Sequence, residues 1–376
     1  MRNSLLTRAL VLEETGLKPP FASSRALQVR TLELDPPGNG ELLVRVRAAG
    51  VCHSDLSVVD GSRPRPAPMA LGHEAAGEVE AAGPGVVDVV PGDHVVLVFV
   101  PSCGACLECS CGMPAQCRRG AAANSAGELL GGGRRLRHGD REIHHHLGVS
   151  AFSERVVVDR SSAVTVPETI PFKIAALFGC ALLTGAGAVL NTAAVRAGES
   201  VAVIGLGGVG LSAVLGATAA GAMPVIAVDP VESKRELALT LGATAAFAPD
   251  LARPEIEKVV PGGVRYAIEA VGSVDAMELA FELTCRGGTT VAVGLPHPSR
   301  MVCLPAAQIV AESRTVMGSY MGSASPKRDI PRLIGLWERG RLPVEHLCGP
   351  QLDLSEVGRA FDALSAGNAL RQIVVP

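Results

Sequence analysis

Val201-Ala-Val-Ile-Gly205-Leu-Gly207-Gly208-Val-Gly210 is a short apolar run that breaks at once into a G-x-G-x-x-G spacing. A small-residue stretch with helical character then continues to Ala220. In such a strand–turn–helix unit the first glycine, Gly205, permits the tight turn. The second, Gly207, lets the backbone approach a pyrophosphate, and Gly210 allows the helix to pack closely on the strand. Gly208 and Val209 open the helix, whose unpaired N–H groups and positive dipole end suit phosphate. A second apolar run, Val225–Asp229, ends in a carboxylate. By itself an aspartate before Pro230 reads as a turn residue. After this fingerprint it reads as the acceptor for two ribose hydroxyls, and its charge would repel a 2′-phosphate, which favours NAD over NADP.

The alternation continues outward from there. Ser233–Gly242 is helical with a glycine stop, and Tyr266–Glu269 and Thr290–Gly294 are further apolar runs. Strands alternating with helices predict a parallel sheet with helices on both faces. Residues 1–170 read differently. Short runs at Leu42–Val46, Gly77–Glu80, His94–Val100 and Arg155–Val158 are separated by Pro–Gly punctuation, which predicts a β-rich region. The chain closes with a helical stretch, Asp329–Arg339, and an apolar strand, Arg371–Val375.

Composition excludes several classes of function. With 34 basic and 37 acidic residues the net charge is −3, which is unsuited to neutralising phosphates along a nucleic acid. The basic run Arg134–Arg141 is expected to be a solvated loop. Ile174–Val195 and Ser200–Val228 carry no charge and are long enough to suggest membrane spans, but the second is bracketed by Glu199 and Asp229, and both read as buried βαβ chain. Met1–Glu13 has no continuous apolar core or cleavage signal, so a soluble, cytoplasmic protein is expected.

Ten cysteines in such a setting point to metal before disulfides. Cys103, Cys106, Cys109 and Cys117 are spaced so that one short lobe, residues 102–118, can close four thiolates around a tetrahedral Zn²⁺. Cys111 falls out of step and reads as a bystander, with an exchange for Cys109 as the alternative.

Spacing alone does not join Cys52, His73 and Cys180; a resemblance does. Gly50-Val-Cys-His-Ser-Asp55, Gly72-His-Glu-Ala-Ala-Gly77, the four-cysteine lobe and the glycine fingerprint resemble the zinc-dependent medium-chain alcohol dehydrogenases, in that order and at those intervals. Ile143–Ser153, Phe178–Gly185 and the loop at 118–142 resemble the long-chain, liver-type dimeric branch. The resemblance covers nearly the whole chain. It implies an α/β fold: a Rossmann doubly wound parallel-sheet domain at 182–320, and a β-rich GroES-like catalytic domain built from 1–181 and 321–376. It also implies two zinc ions. The catalytic one would be held by Cys52, His73 and Cys180 with an open fourth position, and the structural one by the lobe. Hydride would pass from a zinc-bound alkoxide to NAD, giving an aldehyde or ketone.

By the same resemblance, Ser54 accepts the alcohol proton, Asp55 orients His73 and Glu74 lies behind the metal. His53, Thr184, Lys234 and Arg371 join the glycines and Asp229 in holding the cofactor. Phe99 would wall the substrate pocket beside Ser54, favouring apolar or aromatic primary alcohols. A homodimer is expected. Ser57 departs from the pattern, standing where the liver-type branch often ends its proton relay with histidine; a changed pH–rate profile is expected. Three consecutive histidines, His144–His146, diverge on a strand and are assigned no metal. Two other readings compete. A thiol-adduct (glutathione-type) formaldehyde dehydrogenase is disfavoured by Ala121-Ala-Ala-Asn124, which supplies no basic residue, although Arg118 and Arg119 are near. A non-catalytic nucleotide- and zinc-binding protein is disfavoured by retention of Cys52, His73, Cys180 and Ser54.

Overall fold

Val201–Ile204 pairs in parallel with Val225–Val228 on one side and Val264–Glu269 on the other. The computed structural model describes residues 4–367 and 370–376, so the first three residues of Met1–Glu13 lie outside it. The parallel sheet has six strands, in the order Ala245–Phe247, Val225–Val228, Val201–Ile204, Val264–Glu269, Thr284–Ala292, Thr315–Gly318. Every residue of Val201–Ile204 and Val225–Val228 is buried, which is why these runs are continuously apolar instead of alternating. The chain winds outward in both directions from Val201–Ile204. Strand order therefore reverses there, the switch point at which open α/β sheets bind ligands. Helix Gly208–Ala220 begins at that point and buries Gly210–Ala217.

This sheet belongs to one of two compact units, comprising residues 181–324 and 332–347. The return to the first unit is interrupted. Residues 321–324 and 332–347, assigned from sequence to the catalytic domain, pack with the parallel sheet's unit, and only 325–331 and 348–376 rejoin residues up to 180.

The first unit is β-rich. Five short strands, Leu5–Leu12, Leu27–Leu34, Leu136–His138, Arg141–His145 and Met69–Ala70, close into a barrel. A seven-stranded sheet is centred on Glu41–Gly50, which pairs with Ala75–Ala82, Arg155–Asp159 and Arg371–Val374, all antiparallel. Leu12, Leu42, Leu71, Leu97, Phe152 and Phe361 fill its core. Aromatics are few, so most of this core is Val, Leu and Ala.

Two expectations fail here. Residues 118–142 are not an open loop: Arg118–Ala126 is a helix, and Leu136–His138 with Arg141–His145 is a hairpin. Nor is Arg134–Arg141 simply solvated. Arg135 grips the buried Glu41 through two 2.8 Å bonds, Arg137 lies 3.0 Å from Asp35, and Arg134 lies 2.8 Å from Glu142. The positive run is matched by acids from the same hairpin and from chain a hundred residues earlier, a pairing that one-dimensional sequence does not display. Among the described residues no helix is long and apolar enough to cross a membrane.

Candidate active site and metal centres

Helix His53–Val59 starts at Cys52, whose position as N-cap follows from Asp55 three residues on. Asp55 Oδ2 accepts the Cys52 N–H at 3.2 Å, a capping box that fixes the cysteine at the helix entrance. Oδ1 of the same fully buried carboxylate accepts the Gly72 N–H at 3.2 Å and lies 3.0 Å from His73 Nδ1. With Nδ1 engaged, Nε2 is the ring atom left to ligate. Cys180, just after helix Phe172–Leu177, completes the set: one ligand atom each from Cys52, His73 and Cys180 lies within 4.8 Å of the others, all buried.

Charge is concentrated around these groups. Cys180 donates to Cys52, and with Arg371 and His73 nearby this holds the Cys52 thiol well below its ordinary value. Burial opposes protonation of His73, but Asp55 and Cys52 outweigh it and raise the imidazole pKa. Two thiols and an imidazole arranged in this way suit a divalent cation with a soft preference. Behind them, burial pushes Glu74 up to about 7 against the pull of Arg371, whose guanidinium is 3.3 Å away. Arg371 also donates to the Val51 carbonyl at 2.9 Å and is buried, delivered by the strand Arg371–Val374. The Phe99 ring stands edge-on to His73, 5.4 Å between centroids. Ser54 is half-buried on the first helical turn and His53 is exposed. Ser57 Oγ donates back to the His53 carbonyl at 2.9 Å.

The second cluster brings the sulfurs of Cys103, Cys106, Cys109 and Cys117 within 4.8 Å of one another. Backbone N–H groups point at them: Cys103 and Gly120 each donate to Cys117 Sγ at 3.3 Å, and Cys106 donates to Cys103 Sγ at 3.4 Å. Such donors stabilise thiolate. Those of Ala105 and Cys106 bring Cys103 down to about 6, whereas burial and then Cys106 push Cys109 up to about 12. Cys111 is exposed and outside the group.

The three histidines diverge. His145 Nε2 accepts the Arg135 N–H at 3.0 Å, and His144 Nδ1 accepts from Arg134 at 3.0 Å. His146 turns inward, its Nδ1 3.0 Å from Asp55 Oδ1. Asp55, His73 and His146 therefore form a third converging group. The bond between Asp55 and His73 uses the ring nitrogen that faces this group, which leaves the thiol side of His73 as the ligating side.

In the second unit Gly205 has φ +89° and so needs glycine, and a Cβ on Gly210 would overlap the Gly205 carbonyl. Gly207, the N-cap of helix Gly208–Ala220, is exposed, and a Cβ there would meet nothing within 4 Å. That is an open cradle at a helix N-terminus. Asp229, buried at the end of Val225–Val228, accepts from Leu206 N at 2.7 Å and from Val231 N at 2.9 Å, tying the glycine turn to the next strand. Lys234 is half-buried. The Thr184 hydroxyl is buried without a hydrogen-bond partner among the described residues.

Residues 38–168 match the alcohol dehydrogenase GroES-like domain, and residues 208–339 match the zinc-binding dehydrogenase family. An NDMA-dependent alcohol dehydrogenase of Amycolatopsis methanolica is 38% identical over 374 residues, 98% of each chain. The chain belongs to the zinc-dependent medium-chain alcohol dehydrogenases. Among solved structures, an alcohol dehydrogenase zinc-binding domain protein from Burkholderia ambifaria superposes with a TM-score of 0.93 at 34% identity, covering 100% of both chains. Benzyl alcohol dehydrogenase from Acinetobacter calcoaceticus gives 0.91 at 32%, covering 99% of both.

Two residues around the sites of this alcohol dehydrogenase escaped sequence reasoning. Arg235 donates to the carbonyls of Asp229 and Pro230 at 2.8 Å, bracing the strand end, yet one residue from Lys234 nothing set it apart. His146 was visible only as one of a run, and no spacing rule reveals which of three histidines reaches Asp55.

Proposed function

We propose that this dehydrogenase oxidises apolar or aromatic primary alcohols to aldehydes with NAD, reversibly, as a homodimer with two zinc ions per chain. The convergence of Cys52, His73 and Cys180, with Asp55 on the far nitrogen of His73, carries the reading. Those three residues would hold the catalytic zinc, and Cys103, Cys106, Cys109 and Cys117 the structural one. Bound zinc supplies Lewis acidity that lowers the pKa of an alcohol hydroxyl.

The chain's own residues do the rest. Asp55 fixes the tautomer of His73 and positions Cys52 through its backbone. Ser54 receives the hydroxyl proton, and Phe99 presents an apolar wall. Glu74 and Arg371 offset each other beneath the thiols. The open backbone at Gly207 and the helix dipole receive pyrophosphate, with Val209 following in the same turn. Asp229 and Lys234 would meet the adenosine ribose, and the Thr184 hydroxyl, unpaired among the described residues, would be available to the nicotinamide end. His53 and Arg371 are assigned to the pyrophosphate, although Arg371 must share itself with Glu74. Asp229 disfavours NADP by charge.

The relative named for benzyl alcohol supports the aromatic class. The thiol-adduct reading loses ground, because Asn124 turns inward to donate to the Phe99 carbonyl at 2.8 Å, and Arg118 is bound to Glu108 at 2.6 Å. The test is NADH formation with benzyl alcohol, alongside metal analysis. About two zinc ions per chain, and turnover abolished by Cys52→Ala, are expected. Because one relative is named NDMA-dependent, NDMA is run as a second acceptor; turnover with NDMA alone would displace free NAD as the electron acceptor. Two tightly held zinc ions with no turnover on any alcohol would favour the binding protein.

A further inference from the structure

His146 is a buried imidazole that the proposed reaction does not use. It lies beside His73 with ring centroids 5.5 Å apart and planes at 83°, so His73 is held edge-on by His146 and by Phe99. Its Nδ1 is 3.0 Å from Asp55 Oδ1, off the line of a formed hydrogen bond but well within electrostatic contact. One carboxylate thereby gathers three separate segments: the helix entrance at Cys52, the Gly72–His73 turn, and the turn that carries His146.

The backbone around His146 is arranged at a cost. Leu147 and Ser150 have φ of +52° and +55°, a left-handed conformation that non-glycine residues adopt only at a cost. The turn is pinned by its own bonds. The His146 N–H donates to Ser150 Oγ at 3.0 Å and to the Ala70 carbonyl at 3.2 Å, and Ser153 Oγ donates to the Ser150 carbonyl at 2.8 Å. The turn delivers a polar ring to Asp55.

We propose that His146 is a positioning residue: through Asp55, and by flanking the ring, it fixes the orientation in which His73 presents Nε2 to the metal. The proposal rests on the assignment of Cys52, His73 and Cys180 as ligands, and the experiment separates the two. Cobalt(II) replaces zinc in the full chain, and the visible spectrum is compared with that of Cys52→Ser. Absence of any difference would remove the ligand assignment itself.

With the difference band in hand, His146→Phe keeps an edge-on ring and deletes the nitrogen, whereas His146→Asn keeps a nitrogen near the place of Nδ1. In His146→Phe the band is expected to shift, and chelator-driven loss of metal from this site to accelerate by about 10-fold or more, the usual effect of removing an outer partner of a metal ligand. Metal loss from the four-cysteine lobe should be unchanged and serves as the internal control for folding. His146→Asn is expected to restore most of the band position and retention. A spectrum and release rate in His146→Phe equal to wild type would overturn the proposal, as would equal loss in both variants, which would reduce His146 to packing.

Discussion

Ser57 departs from the family pattern at a position where the liver-type branch often has histidine, and its local bonding bears on what it can do. Its hydroxyl is spent on the His53 carbonyl within its own helix turn. Ser57→Ala should therefore leave the alcohol oxidation rate close to wild type across pH, whereas Ser54→Ala should depress it strongly; steady-state profiles of both variants check this. His145 offers a cleaner pH effect. Burial, reinforced by Arg135 and Arg134, pushes it down to about 3, against about 6.5 when the chain is unfolded. Between those values the unfolded chain binds the extra proton, so this contribution to stability is intact above about 6.5 and drains away as pH falls toward 3. His145→Gln should flatten the acid limb of a plot of urea midpoint against pH.

The glycines can be tested at the same scale. Gly210→Ala should fail to fold normally, because the added carbon has nowhere to go. Gly207→Ala should keep its melting temperature and raise the Michaelis constant for the dinucleotide on the order of ten-fold, equivalent to about 1.4 kcal/mol of lost contact. A lower melting temperature in Gly207→Ala would show that the position is structural.

Among elements, the hairpin Leu136–His145 marks the limit of what sequence showed. The parallel strands were legible because complete burial leaves an unbroken apolar run, and the glycine turn because its spacing is set by backbone geometry. The four-cysteine lobe was legible because its ligands are local. The hairpin was not, since its arginines look like any solvated positive stretch until Glu41, Glu33 and Asp35 arrive from strands a hundred residues earlier. Cys180 stands as far along the chain from Cys52 and His73, a set that resemblance united and periodicity could not. The hairpin pairing has a measurable weight. Glu41 is only 2% exposed, so Arg135→Ala strands a buried charge and should cost roughly 3–5 kcal/mol in urea unfolding. Adding Glu41→Gln should recover part of that loss.

At the level of the whole molecule, the edge strand Thr315–Gly318 is exposed along its length and has a neighbour on one side only. Val316 and Met317 are accessible there, with Met301 and Val310 elsewhere on the exposed surface of this unit. A bare apolar edge invites strand pairing, and an identical edge from a second copy satisfies it symmetrically. Val316→Lys should convert the proposed dimer to a monomer by sedimentation, while the metal content per chain stays at the wild-type value.

The discontinuity of the first unit has a consequence for biogenesis. Ile373 and Val374 pair with Gly50 and Ala49, and Arg371 meets Glu74, yet the ribosome releases these residues only after all of the nucleotide-fold segment has been made. The strand that carries the buried Arg371 is therefore made well after the thiols beside it. Nascent chains would hold the thiols of Cys52 and Cys180 without that counter-charge until Arg371 has been added.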